Sequence, residues 1–152
     1  MFDIKTTFVV DEPLGWAFAA VGGELEDCVV LTDNRCPTYL MNLWDFGPRN
    51  VLPLTPLSDL TRLLTTSAGP LAPATLSSPL TPAERHTVRL IAEGYTNREI
   101  AQRRHVSEGV VRNTVNAIHQ KLNLYARVHI AFYYYGQWHL LTEWEHPSFL
   151  QP

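Results

Sequence analysis

The sequence predicts two small domains of different class, an α/β unit followed by an all-α unit. A proline- and serine-rich stretch divides the chain near its middle. Short β-branched runs and one helical run precede it, and successive helix starts follow it. The 152 residues, 45% of them hydrophobic, are enough for two packed cores. We therefore expect domains at residues 1–66 and 80–141, with a linker at 67–79 and a tail at 142–152.

The stretch from Thr65 to Pro79 (TTSAGPLAPATLSSP) carries no charge and contains three prolines, which prevent a continuous helix. The alternative interpretation is a long surface loop within one domain. Because structureless loops of this length are uncommon in compact domains, we favour a linker.

In the first domain, two strand-like runs flank one helical run. Thr6 to Val10 and Cys28 to Thr32 have the composition of buried strands, and Pro13 to Val21 can form a helix that ends at Gly22-Gly23. This order predicts a small parallel α/β unit.

Charge is divided unevenly between the two halves. Residues 1–79 carry nine acidic and four basic side chains, a net charge of −5, whereas residues 80–152 carry six acidic and eight basic side chains, a net charge of +2. All six histidines lie in the second half, where partial protonation near phosphates would add positive charge. The second half therefore has the charge sign of a nucleic-acid binder, although the whole chain is at −3.

Several classes of protein are disfavoured by the composition. Cys28 and Cys36 show no CxxC spacing and no clustered histidines, so we expect buried, reduced thiols and neither a metal nor another cofactor. No nucleophile or phosphate-loop motif is recognisable, which argues against an enzyme. No apolar run approaches the roughly 20 residues of a membrane span, and the N-terminus lacks a secretion signal, so we expect a cytoplasmic protein.

Three helix starts follow the linker. Two of them, TPAE at 81–84 and TNRE at 96–99, have the hydroxyl and carboxylate of a capping box. The first helix should run from Pro82 to Glu93 and end in a left-handed cap at Gly94, and the second should cover about Asn97 to Arg104 before a turn at 105–106. The inward-facing residues expected on these helices are Val88, Ile91, Ile100 and Ala101.

Ser107 caps a third predicted helix, residues 107–122. Its apolar residues recur at spacings of four, three and four, which forms one buried stripe: Val111, Val115, Ile118 and Leu122. The opposite face carries Arg112, Asn113, Asn116 and Gln120. A fourth helix should run from about Ala126 to Trp138.

The segment LTPAERHTVRLIAEGYTNREIAQRRHVSEGVVRNTVNAIHQKLNL resembles the LuxR-type (FixJ or GerE type) DNA-binding domain. The likeness extends from Leu80 to about Ala131 without a gap. It implies a four-helix helix-turn-helix domain whose third helix enters the major groove of double-stranded DNA, while the fourth helix often makes the dimer contact. A sigma-factor region also resembles this module, but no promoter-melting helices precede it here.

The resemblance and the side-chain chemistry together predict the DNA contacts. Because Arg pairs with guanine edges and Asn with adenine edges, we expect base contacts from Arg112, Asn113 and Asn116. The resemblance implies phosphate contacts from Arg98 and Lys121, which match family positions. Phosphate could also dock at the outward-pointing backbone N–H groups of two helix starts, Thr96 and Ser107. For any single residue the alternative is an ordinary solvated helix face. The chain departs from the family at Val110, where a Thr or Ser is common, so a hydroxyl contact to the DNA backbone is lost.

The segment from Val29 to Leu64 resembles the last strands and helices of a response-regulator receiver domain. Thr32 matches the family's hydroxyl switch, and Gly47 matches the glycine before the last strand. Pro53 within that strand implies a sheet edge. The acidic pair Asp11-Glu12 would match the receiver's Mg²⁺ ligands, but we favour a helix N-cap.

Phosphorylation is not expected to be the switch. There is no room before Val29 for the receiver's second and third strands, the third of which normally ends in the phosphoacceptor Asp. A rival alignment makes Asp33 the phosphoacceptor. However, the chain has no Lys between Lys5 and Lys121, so the receiver's phosphate-sensing Lys is absent.

The sequence thus predicts a phosphorylation-independent transcription regulator whose N-terminal domain dimerises or docks a protein partner. The alternative is an interaction adaptor that uses the helix-turn-helix as a docking surface. A homodimer is expected because so small a sheet buries little core and leaves both edges open. The candidate interface residues on the fourth helix are Phe132, Tyr135 and Trp138; Val128 and Ala131 are expected to cover the domain's own core.

Overall fold

The computed structural model describes residues 7–20, 25–54 and 73–137. The chain divides into two compact units, residues 1–76 and 77–152. The division falls inside the predicted linker at 67–79. The exact limits of the domains, the linker and the tail stay predictions.

In its described residues, the first unit contains a parallel three-stranded sheet, two α-helices and a short 3₁₀ helix. The elements are β1 (Thr7–Val10), α1 (Trp16–Ala20), β2 (Cys28–Thr32), α2 (Pro37–Asp45), β3 (Asn50–Pro53) and the 3₁₀ helix (Pro73–Thr75). The strand order is β1-β2-β3, with β2 pairing in parallel to both neighbours. The predicted small parallel α/β unit is therefore confirmed.

Helix α1 is shorter than predicted because a turn precedes it. Gly15 has a φ of +90°, and the Trp16 N–H donates to the Pro13 carbonyl at 2.9 Å, so residues 13–15 are not helical. The predicted C-terminal end of this helix at Gly22-Gly23 lies outside the described residues.

The core of this unit surrounds the central strand. All five residues of β2 are buried, as expected of a parallel strand covered on both faces. Val29, Leu31 and Leu52 form one apolar cluster, against which Leu54 packs. Both predicted buried thiols are confirmed as buried and free: Cys28 and Cys36.

The pairing of β1 with the central strand brings Asp11 to the end of the sheet. Asp11 directly follows β1, and its N–H donates to the carbonyl of Leu31 in β2 at 2.8 Å. Thr32, the last residue of β2, lies at the same end of the sheet.

The end of the sheet agrees with the sequence prediction. Gly47 has a φ of +72° in the turn before β3. Of the described strands, β3 has only β2 as a neighbour, so Pro53 lies at an edge. Pro53 has no N–H, and the next residue, Leu54, donates instead to the Thr32 carbonyl at 2.8 Å.

As far as residue 137, the second unit is built of four helices: α3 (Pro82–Ala92), α4 (Asn97–Arg103), α5 (Glu108–Leu122) and α6 (Arg127–Tyr134). Capping boxes begin α3 and α4, and the Ser107 hydroxyl caps α5 by accepting the Val110 N–H at 3.3 Å. Gly94, with a φ of +91°, ends α3 as predicted. His105, at a φ of +53°, lies in the turn between α4 and α5.

These helices pack through the faces that the sequence predicts. The apolar stripe of α5 is buried, with Val111, Ile118 and Leu122 at 0% exposure, and Ile100 of α4 is also fully buried. The main contacts join α3 with α6, α4 with α5, and α3 with α5. This arrangement leaves the polar side of α5 outward.

Helix α6 differs from the prediction in its length and in its buried face. It ends at Tyr134, and Gly136 follows at a φ of +67°. The core-facing residues are His129, Ile130, Tyr133 and Tyr134. Val128 is 51% exposed, so its assignment to the core is wrong.

None of the described helices has the length and apolar character of a membrane span. Within residues 7–20, 25–54 and 73–137, no three His, Cys, Asp or Glu side chains lie close enough together to hold a metal ion.

Candidate nucleic-acid interface

The outer face of α5 carries the three predicted base-contacting residues. Arg112, Asn113 and Asn116 are all exposed, opposite the buried stripe. The Arg112 side chain is 65% exposed, and its Nη2 lies 3.4 Å from Glu108 Oε1 one turn earlier. Because an ion pair this exposed to solvent is weak, the Arg112 guanidinium can exchange Glu108 for another acceptor.

The four predicted phosphate contacts differ in their surroundings. Arg98 and Ser107 are exposed. At Thr96 both donors are already used, since its N–H and its hydroxyl each donate to Glu99 Oε2 at 2.7 Å. The same hydrogen bonds are the largest cause that lowers the pKa of Glu99 below its usual value. A phosphate at Thr96 would have to compete with this carboxylate.

Lys121 also has a partner within the domain. Its Nζ donates to Glu84 Oε2 at 2.8 Å, and the same oxygen accepts the Thr81 N–H at 2.7 Å in the capping box of α3. Burial acts to raise the pKa of Glu84, but hydrogen bonds from Lys121 and Thr81 and the Lys121 charge lower it overall. Lys121 therefore links α5 to the start of α3, while its side chain remains 38% exposed.

Two arginines outside the predicted DNA-contacting set join helices of the second unit to one another. Arg127 Nη1 donates to Asn97 Oδ1 at 2.8 Å, and its Nη2 donates to the Tyr95 carbonyl, so one guanidinium joins the start of α6 to the start of α4. Arg104 Nη1 donates to Thr87 Oγ1 at 2.6 Å. No sequence signal identified these pairs, because their members lie 17 to 32 residues apart.

The surroundings of His86 oppose its protonation. Burial, followed by the nearby charges of Arg89 and Arg104, lowers the pKa of His86 below its usual value. In the folded protein, His86 is therefore more often neutral at neutral pH than a free histidine.

In the first unit, Asp11 forms a closed cluster of hydrogen bonds. Its Oδ1 accepts the N–H groups of Gly15 and Ala17 at 3.0 Å each, and its Oδ2 accepts the Thr32 hydroxyl at 2.9 Å and the Tyr39 hydroxyl. The residue is 1% exposed. Both oxygens therefore have two donors, two of them backbone groups at the start of α1, as the helix-capping interpretation predicts.

The predicted interface residues of α6 are half-buried where they are described. Phe132 and Tyr135 have intermediate exposure, and the Tyr135 hydroxyl lies 3.4 Å from the Ala92 carbonyl. Trp138 lies outside the described residues. The largest exposed apolar side chains nearby are Tyr125, at 71%, and Val128.

The fold and this surface define a helix-turn-helix domain, and comparison identifies its family. Residues 78–134 match the family described as bacterial regulatory proteins, luxR family. This segment is a LuxR-type helix-turn-helix domain, and the resemblance is confirmed. No curated protein sequence matches the chain.

Solved structures that resemble the chain include response regulators. RcsB from Salmonella enterica serovar Typhimurium, bound to promoter rprA, is 23% identical over 70% of this chain and 58% of its own, with a TM-score of 0.49. The RcsB response regulator of Salmonella typhimurium is 25% identical over 70% of this chain and 56% of its own, with a TM-score of 0.47. The response regulator ChrA of a heme-sensing two-component system is 21% identical over 80% of this chain and 66% of its own, with a TM-score of 0.37. The chain thus spans less than three fifths of the length of these RcsB chains.

Proposed function

We propose that the protein is a sequence-specific, DNA-binding transcription regulator of the response-regulator type that acts in the cytoplasm. The observation that carries the proposal is the exposed row Arg112, Asn113 and Asn116 on the third helix of a LuxR-type helix-turn-helix domain. In helix-turn-helix proteins, the N-terminal part of this helix enters the major groove and contacts base edges.

The side chains of this row have complementary roles. Arg112 suits a bidentate contact to a guanine, and Asn113 and Asn116 suit adenine edges. Four exposed residues would fix the register on the phosphates: Arg98, Ser107, Lys121 and Thr96. Arg98 and Ser107 are the better placed, because both donors of Thr96 already bond to Glu99 and the Lys121 ammonium already bonds to Glu84. The net charge of +2 in residues 80–152 favours this half as the DNA-facing one.

DNA binding would not require phosphorylation. If β2 and β3 correspond to the last two strands of a receiver, as their sequence resemblance implies, then β1 would take the place of the third strand and Asp11 that of the phosphoacceptor. Asp11 is 1% exposed, and its two oxygens accept four hydrogen bonds. A phosphoryl group would have to displace the hydroxyls of Thr32 and Tyr39. The chain also has no Lys between Lys5 and Lys121 to bind the phosphoryl group.

The protein would act as a homodimer on an inverted repeat. Twofold pairing places two recognition helices on half-sites about 34 Å apart, one turn of DNA. Phe132, Tyr135 and Trp138 remain the proposed interface residues. Val128, exposed one turn before Phe132, would add apolar surface on the same face of α6. The N-terminal unit would supply a second dimer contact or the site for a protein partner.

A second candidate is an interaction adaptor that uses the helix-turn-helix domain to dock another protein. The total charge of −3 and the exposed, apolar Val110 on the recognition helix favour this alternative.

The test is selection of binding sites from genomic DNA with the purified chain. We expect an inverted-repeat operator. Arg112→Ala and Asn116→Ala should each weaken the free energy of binding to this operator by about 1 to 3 kcal/mol. Arg35→Ala, an exposed arginine in the other unit, is the matched control. Wild-type affinity in both recognition-helix variants would show that α5 does not contact the bases, and failure to select any site would favour the adaptor.

A further inference from the structure

The recognition helix begins with an exposed apolar side chain. Val110, in the first turn of α5, is 47% exposed, although it lies among polar residues. The domain core does not use it, because the buried stripe starts at Val111. Its neighbour three residues later is Asn113, a proposed base contact, and residues at this spacing are adjacent on a helix surface.

Two polar side chains beside Val110 already have partners within the domain. The Thr114 hydroxyl donates to the Val110 carbonyl at 2.9 Å, and the Ser107 hydroxyl accepts the Val110 N–H at 3.3 Å. The exposed Val110 side chain itself can form no hydrogen bond, so the group that it contacts on DNA should be apolar.

The residue before Val110 allows DNA to come close. Gly109 is exposed, and a Cβ added there would meet only Ser107 Oγ, at 3.8 Å. The packing of the domain thus does not require glycine at this position. Without a side chain there, the backbone of the first turn can approach a base pair.

Only one group in the major groove matches Val110. The edges of the base pairs present hydrogen-bond donors and acceptors, and the single apolar group is the 5-methyl of thymine. We infer that Val110 is a specificity-determining residue that contacts a thymine 5-methyl group in each half-site. The inference rests on the proposed function and goes beyond it, since none of the polar contacts recognises this methyl.

The experiment replaces the thymines of the selected operator one at a time, at the same place in both half-sites, by deoxyuridine, which lacks only the methyl. For the wild-type chain of 152 residues, we expect one position at which this change weakens binding about fourfold per half-site, the factor that corresponds to burial of about one methyl group. Val110→Ala should bind the two duplexes with nearly equal affinity. Gln120→Ala, another exposed residue of α5, should keep the wild-type ratio.

Val110→Thr separates a base contact from a backbone contact. If Val110 faces thymine, the added hydroxyl should not strengthen binding. A gain with Thr on all duplexes, together with no effect of deoxyuridine, would overturn the inference, as would a deoxyuridine effect that persists in Val110→Ala. A selected operator without thymine would also overturn it. Each of these results leaves the proposed function intact, whereas selection of no operator refutes the proposed function and this inference together.

Discussion

The ion pair between Lys121 and Glu84 yields a prediction that separates a structural role from a DNA-binding one. Lys121→Ala should destabilise the helix-turn-helix domain, because Lys121 Nζ donates to Glu84 Oε2 at 2.8 Å and joins α5 to the start of α3. It should also weaken binding to all DNA sequences alike, because a phosphate contact carries no sequence information.

The size of the stability loss follows from the exposure of the two partners. Hydrogen bonds to charged groups contribute about 1.5 to 3 kcal/mol, whereas exposed ion pairs contribute about 0.2 to 1 kcal/mol. The Glu84 side chain is 11% exposed, but that of Lys121 is 38% exposed, so solvent screens the pair. We therefore expect a loss of about 1 kcal/mol, or about 4 to 8 °C in Tm for a domain of this size.

The assay is a double-mutant cycle with Glu84→Gln, followed by thermal and urea denaturation. Gln can still accept the Thr81 N–H, so the capping box is kept while the charge is removed. The coupling free energy should be about 1 kcal/mol at pH 7. A coupling near zero would refute the structural role of the pair.

The cycle should also depend on pH in a defined direction. Since the pKa of Glu84 is lowered in the folded protein, the coupling is fully present above the ordinary glutamate pKa of about 4.3. It is lost as the pH falls through the lower, folded-state pKa, where Glu84 is protonated. A coupling that stays unchanged after Glu84 is protonated would contradict an ionic origin.

Four further predictions concern other contacts. Asp11→Ala should destabilise the first unit by about 3 kcal/mol or more in urea denaturation, because it leaves several buried donors unsatisfied; a loss no larger than that of the exposed control Asp33→Ala would refute this. Acetyl phosphate, or beryllium fluoride as a phosphate mimic, with Mg²⁺ should change neither DNA affinity nor oligomeric state; a phosphorylated Asp33 in mass spectra after acetyl phosphate treatment, together with tighter DNA binding, would contradict this. Arg127→Lys should lower the free energy of unfolding of the second unit by about 1 to 2 kcal/mol, since an ammonium group cannot reproduce the hydrogen bonds of the guanidinium to both Asn97 and Tyr95; an unchanged Tm would count against these contacts. Sedimentation at micromolar concentration should show a dimer, and a monomer both for the full chain and for one ending at Leu141 would rule out the proposed pairing.

The sequence alone determined the features that depend on near neighbours. The capping boxes at Thr81 and Thr96, the left-handed cap at Gly94 and the apolar stripe of α5 involve residues within one or a few turns of each other. Their geometry is set by helical periodicity and by backbone groups at the helix ends. The burial of β2 was predictable for a similar reason, because a continuous apolar run is typical of a central parallel strand.

Only the tertiary structure decided which distant groups meet. Lys121 and Glu84 are 37 residues apart, and Arg127 and Tyr95 are 32 apart, so no periodicity could pair them. Arg127 docks the start of α6 on the start of α4, and the helix then buries Ile130 and leaves Val128 exposed. The pairing of β1 with β2 likewise arises from long-range hydrogen bonds. It brings the carboxylate of Asp11 to the end of the sheet, where the hydroxyls of Thr32 and Tyr39 donate to it. No run of neighbouring residues encodes that arrangement.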